Sequence, residues 1–137
     1  MTPFEIEVLD SILWQLKGYA EGQVTERATT RILRATLRRI KPRKIAYSLR
    51  AASIEKKDID HAIPLKIIVS KLINNPILTK EQLVILLDNL LVSVELTPEE
   101  HRMTLKKFKL SSDMPADWDG VDNLARYRAA GIEVLVI

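Results

Sequence analysis

The sequence predicts an α+β protein that is mainly helical, and three observations predict it. Apolar residues recur at helical spacing over most of the chain. Three of those runs open with a capping box, at Thr2-Pro3-Phe4-Glu5, Thr79-Lys80-Glu81-Gln82 and Thr97-Pro98-Glu99-Glu100. Shorter segments at 56–63, 91–96 and 132–137 have strand character instead. With 137 residues, 47% of them hydrophobic and 28% charged, the chain is expected to fold as one ordered domain. Its three parts are a basic helical part at 1–55, a central part at 56–110, and a C-terminal helix and strand at 111–137.

Pro3 sits at the first position of a helix that runs to about Ala20, with Ile6, Leu9, Leu13, Leu16 and Ala20 on one face. Trp14 and Tyr19 are expected to pack into the core, the usual fate of aromatics at helical spacing. Thr25 caps a second helix that ends before Pro42. At ~100° per residue, Arg27, Arg31, Arg34 and Arg38 fall within one stripe about 60° wide. Ala28, Ile32, Leu33, Ala35, Leu37 and Ile40 cover the other faces. The phase of Ile45, Leu49 and Ala52 extends a short helix over 45–54.

Alternation then places Ile59, His61 and Ile63 on one strand face and Asp58, Asp60 and Ala62 on the other. Pro64 ends that strand and opens a helix over 65–74, which the turn signal Asn74-Asn75-Pro76 closes. A further helix carries Leu83, Leu86, Leu87 and Leu90. Residues 91–96 return to period two, and the helix opened by Thr97 aligns His101, Leu105 and Phe108. A polar loop at 111–120 leads to a short helix over 121–130, stopped by Gly131. The closing segment, 132–137, is apolar; a free edge of that composition aggregates, so it must pair in this chain's own sheet or across a homodimer axis.

Charge is uneven along the chain. Residues 23–50 hold nine Lys and Arg (Arg27, Arg31, Arg34, Arg38, Arg39, Lys41, Arg43, Lys44, Arg50) against the single acid Glu26. The arginine stripe continues through Lys41-Pro42-Arg43-Lys44, a surface suited to the phosphate backbone of a nucleic acid. Cysteine is absent, which excludes a disulfide framework, a thiolate metal site and a Cys nucleophile. Glu5, Glu7 and Asp10 are wrong for a signal peptide, and the most apolar run, 83–94, is broken by Asp88, Asn89 and Ser93. A soluble, cytoplasmic protein without a membrane partner is the expectation.

Both histidines stand at element boundaries, His61 beside Asp60 on a strand and His101 in a first helical turn. Phosphodiester hydrolysis needs a base for water and a cation for the charge that develops on phosphorus. An imidazole suits the base, and Asp with a second, neutral His suits a divalent ion. Asp60-His61-Ala62-Ile63-Pro64-Leu65 resembles the Asp-His-x-x-Pro-Leu opening of HNH endonucleases, the ββα-metal nucleases. Leu96-Thr97-Pro98-Glu99-Glu100-His101 is similar to the Leu-Thr-x-x-Glu-His that starts the helix in one branch of that family. Met114-Pro115, Trp118 and Arg126-Tyr127 through Gly131-Ile132 are similar to tails of small phage-encoded members.

The resemblance implies an expanded, HNH-like ββα unit within 56–110. It implies metal ligands at Asp60 and His101, a general base at His61, and Asn89 to orient that base. It further implies one Mg²⁺ or Mn²⁺ as cofactor, double-stranded DNA as substrate, and a free-standing homing or phage-encoded endonuclease working in a host cytoplasm. Arg27, Arg31, Arg34, Arg38, Arg39, Lys41, Arg43 and Lys44 are the candidate DNA contacts. Two other readings stand beside it. One is a non-catalytic nucleic-acid-binding protein on the same scaffold, and the other is a protein-interaction or inhibitor module using the C-terminal strand.

Overall fold

Threonine hydroxyls start the first two helices of the computed structural model, which describes residues 2–137. Thr2 Oγ1 accepts the Glu5 N–H at 3.1 Å and opens α1 (Pro3–Ala20); Thr25 Oγ1 accepts the Ala28 N–H at 3.1 Å and opens α2 (Glu26–Leu37). Later come α3 (Leu65–Asn74) and α4 (Lys80–Leu90). Thr79 and Gln82 close the reciprocal capping box of α4, at 3.1 and 2.9 Å.

The chain divides into two compact units, each drawn from two stretches of sequence. The first takes the chain up to Lys41 together with Leu65–Asn89 and is helical. Its buried apolar residues include Val8, Leu9, Ile12 and Leu16 of α1, Leu33 and Leu37 of α2, Ile68, Val69 and Leu72 of α3, and Leu83 and Leu87 of α4. The buried face of α1 is rotated from the expected one: Ile6 and Ala20 are exposed, and Trp14 is 77% exposed rather than packed in a core. α1 carries apolar residues on both flanks, so spacing alone does not say which flank turns inward. On α2 the inward positions next to Leu33 and Leu37 are Thr29 and Thr36, while Ile32 and Ala35 are exposed. Each buried hydroxyl donates to a carbonyl one turn back, Thr29 to Thr25 and Thr36 to Ile32, both at 2.8 Å, so neither is left unsatisfied.

The second unit, Pro42–Pro64 and Leu90–Ile137, is built on a four-stranded mixed sheet of order β2-β3-β1-β4. β1 (Arg43–Ser48) runs parallel to β3 (Val92–Leu96), with a register irregularity between Lys44 and Ala46. β2 (Asp58–His61) is antiparallel to β3, Asp60 facing Val94. β4 (Val134–Val136) is antiparallel to β1, so the apolar C-terminal segment pairs in this chain's own sheet. The helix expected over 45–54 is instead strand β1 followed by one 3-10 turn, Ala51–Ser53. β1 lies between two partner strands, and that pairing overrides a local helical phase.

The core of this unit comprises Ala46, Ala62, Val92, Val94, Leu96, Leu105, Leu110, Leu124, Tyr127, Ala130 and Ile132. After β3 the chain makes a π-helical turn, Glu100–Thr104, which continues as α5 (Leu105–Lys107). The last helix, α6 (Ala125–Ala129), is shorter than the expected 121–130 because an Asx turn at Asp119 holds the residues before it. Gly131, at φ +72°, ends α6: its N–H reaches Arg128 O at 3.1 Å and the Ile132 N–H reaches Tyr127 O at 2.9 Å. Among the described residues no helix is long and apolar enough to cross a membrane. The protein is α+β and mainly helical.

Candidate functional site

The best-defined cluster of polar chemistry lies in the second unit, where β2 and β3 pair and the following helix begins. Thr97 Oγ1 accepts the Glu100 N–H at 3.0 Å, and Glu100 Oε1 accepts the Thr97 N–H at 2.9 Å. The same Glu100 oxygen accepts the Ser48 hydroxyl at 2.6 Å, which fastens the start of this helix to β1. Glu100 is only 3% exposed, so its carboxylate is committed to the cap. The helix then widens: the Leu105 N–H bonds to Glu100 O, five residues back. Such π turns are rare and concentrate at functional sites. This one carries His101.

The His101 ring lies against β2. Its Nδ1 is 2.9 Å from Asp58 Oδ2 and its Nε2 is 3.4 Å from Asp60 Oδ1. Asp58 also lies 3.6 Å from Arg102 Nε. The other oxygen of Asp60, Oδ2, accepts Arg126 Nη1 at 2.9 Å and the Tyr127 hydroxyl at 2.6 Å. Arg126 is 1% exposed. Its Nε and Nη2 donate to Leu110 O at 2.8 and 2.6 Å, and Nη1 also donates to His61 O at 2.7 Å. One guanidinium thus joins α6, strand β2 and the chain after α5. A buried charge is tolerable only when paired and hydrogen-bonded in this way.

Each group's proton affinity follows from these neighbours. Burial pushes the Asp60 carboxyl up, but the His101 hydrogen bond, the Arg126 charge and the Tyr127 hydroxyl outweigh it and hold the group below its usual value. The hydrogen bond to Asp60 raises His101; burial opposes this, and Asp58 adds to the rise. Burial, then the Asp60 charge, lifts the Tyr127 phenol well above its ordinary range, so it stays a donor.

The structure brings together two of the residues singled out by sequence. Asp60 and His101 meet through the contact above. His61 is the next residue on the strand, so its side chain lies on the opposite face, with Ile59, and its Nε2 is shielded from solvent. Asn89 belongs to the helical unit, not to the unit that holds Asp60 and His101. Arg27, Arg31, Arg38, Arg39 and Lys41 are exposed in the helical unit and Arg34 is half-buried. Arg39 stacks over the Phe4 ring at 4.9 Å. Arg43 and Lys44 lie on β1, and Lys44 pairs with Glu95 at 2.9 Å.

Sequence reasoning did not single out Asp58, Arg126 or Tyr127 as site residues. The alternation of Asp58 and Asp60 on one strand face was the available signal for the first. For Arg126 and Tyr127 the only signal was the tail resemblance at Arg126-Tyr127 through Gly131-Ile132, which does not mark an inward guanidinium.

Among the described residues no group of three or more His, Asp or Glu is placed to hold a metal ion. His101 Nε2 and Asp60 Oδ1 are the two potential ligand atoms that meet, 3.4 Å apart. Asp58 Oδ2, 2.9 Å from Nδ1, orients the imidazole from its other side. No protein-family model, curated protein or solved structure matches the chain.

Proposed function

We propose that this protein is a divalent-metal-dependent endodeoxyribonuclease of the HNH-like, ββα-metal kind, cleaving phosphodiester bonds in double-stranded DNA with one Mg²⁺ or Mn²⁺. One observation carries the reading. A strand, its antiparallel neighbour and the helix that follows bring Asp60 Oδ1 and His101 Nε2 to 3.4 Å, with Asp58 behind the ring. In this reading Asp60 and His101 hold the ion. A bound ion supplies charge stabilisation at the phosphoryl oxygens and lowers the pKa of a coordinated water.

The chain's own groups do the rest. In this reading Asp58 holds the Nδ1 proton of His101, and the ion takes the place of the Nε2 proton that Asp60 otherwise favours. Arg126 and Tyr127 occupy Asp60 Oδ2, which leaves Oδ1 as the oxygen that turns toward His101. The exposed arginines of α2 neutralise backbone phosphates.

A second reading, a nucleic-acid-binding protein that does not cleave, is favoured by His61. Its Nε2 is shielded on the strand face opposite Asp60, away from where a water-activating base would be needed. Plasmid cleavage with Mg²⁺ or Mn²⁺, with and without chelator, tests the two. The nuclease reading expects nicked or linear product that disappears with chelator and in His101→Ala, while salt-dependent DNA affinity persists. Bound but uncut plasmid in both metals leaves the second reading standing.

A further inference from the structure

The segment just after His101 carries more positive charge than a metal site needs. Arg102, Lys106, Lys107 and Lys109 are all exposed, and residues 102–109 contain no acid. Arg102 has Asp58 nearby, at 3.6 Å, but among the described residues no ion pair restrains Lys106, Lys107 or Lys109. Set among them is Phe108, 48% exposed, with Lys107 Nζ 5.8 Å from its ring centre.

Lys109 is where this patch works against stability. It is the only non-glycine among the described residues with positive φ, at +60°. It occupies the position after the end of α5 that glycine usually fills: its N–H bonds to Lys106 O at 3.0 Å and the Leu110 N–H to Leu105 O at 2.8 Å. A side chain there is strained, and glycine relieves the strain. A lysine held at such a position is a cation kept at a cost to the fold.

We propose that Lys106, Lys107, Phe108 and Lys109 form a binding surface for single-stranded DNA. The lysines take successive phosphates and the open face of Phe108 stacks on an unpaired base. A duplex hides the faces of its bases, so an aromatic ring among lysines is complementary to an unpaired strand. The two exposed apolar side chains here, Phe108 and Met103, sit on about two helical turns, too little for an interfacial membrane helix. The surface lies on the same helix as His101 and adds to the duplex-cleaving reading a separate place for an unpaired strand; binding there needs neither metal nor cleavage.

The test is fluorescence anisotropy of a labelled oligo-dT and of a matched duplex, in chelator, with the full chain. Phe108→Ala is expected to weaken oligo-dT binding about tenfold, with duplex binding within twofold. Lys106→Gln with Lys107→Gln is expected to flatten the log–log salt slope on oligo-dT by about 1.4, at ~0.7 for each phosphate neutralised. Lys109→Gly is expected to raise the melting temperature by a few degrees while weakening oligo-dT binding. Equal losses on duplex and oligo-dT, no loss in any variant, or phosphatidylserine vesicles bound in preference to oligo-dT would each overturn the proposal. Because chelator is present throughout, a wild type that never cleaves DNA leaves this outcome unaffected.

Discussion

The two units hide polar groups in different ways. In the helical unit the buried polar residues are Thr29 and Thr36, and each hydroxyl is satisfied by its own helix. Its cations line the surface. In the sheet unit the buried set is Ser48, Asp60, Ser93, Thr97, Glu100 and Arg126, which includes every buried charge among the described residues. Taking ions out of water costs several kcal/mol each before pairing, and apolar residues would fill the same space without that cost. Where a fold carries such a cost in one region and avoids it in the other, the charged region is the place to look for chemistry. The contrast sets a buried charge network in the sheet unit against a basic surface in the helical unit.

Arg126→Met tests the contrast hardest. It leaves Asp60 buried without its cation and removes the guanidinium's hydrogen bonds to the carbonyls of Leu110, His61, Ala62 and Ser111. Urea titration is expected to show a loss of about 3–5 kcal/mol, against ~0.5 kcal/mol or less for Arg31→Met on exposed α2. If both changes cost the same, the network is not what holds the sheet unit. Tyr127→Phe removes one hydroxyl from Asp60 and is expected to cost about 1–3 kcal/mol in the same titration.

Stability against pH probes the same difference, measured in chelator so that only protons bind. His101 is raised in the fold, so its contribution is full below the unfolded imidazole value and is lost as pH rises through the folded one. Asp60 is lowered, so its contribution is present above the unfolded carboxyl value and is lost as pH falls through the folded one. Stability should therefore peak between the two. His101→Asn should remove the decline on the alkaline side; an unchanged decline would locate its cause elsewhere. The smallest effect on stability is expected from Arg27, Arg31, Arg34 and Arg38 changed together to Gln. Each should alter stability by ~0.5 kcal/mol or less, yet each phosphate left without its arginine should flatten the salt slope of duplex binding by about 0.9.

How far the sequence could be read depended on how local the cause was. α3 is bounded by Pro64 and by the turn at Asn74-Asn75-Pro76, so its extent was legible. β2 and β3 showed as alternation over 56–63 and 91–96. β1 did not, because its partners are residues 92–95 and 134–136, and nothing in 43–48 announces them. Trp14 was misplaced because α1 is apolar on both flanks. In the site, Asp60 and His101 sat in short motifs that could be quoted from the chain. Arg126 and Tyr127 stood in the quoted tail motif, but that motif gave them no role: an arginine that turns inward looks locally like one that turns outward, and the carboxylate it meets is 66 residues earlier.

β1 has one further consequence, for the time at which the sheet can close during synthesis. Its hydrogen bonds are shared between strands that leave the ribosome long after it does, and the antiparallel partner includes residue 136. Closing such long loops is entropically slow. Until the last partner emerges, the nascent β1 has one side exposed to any strand that reaches it first. A chain halted before residue 134 should therefore be a better client for chaperones than the same chain allowed to run on.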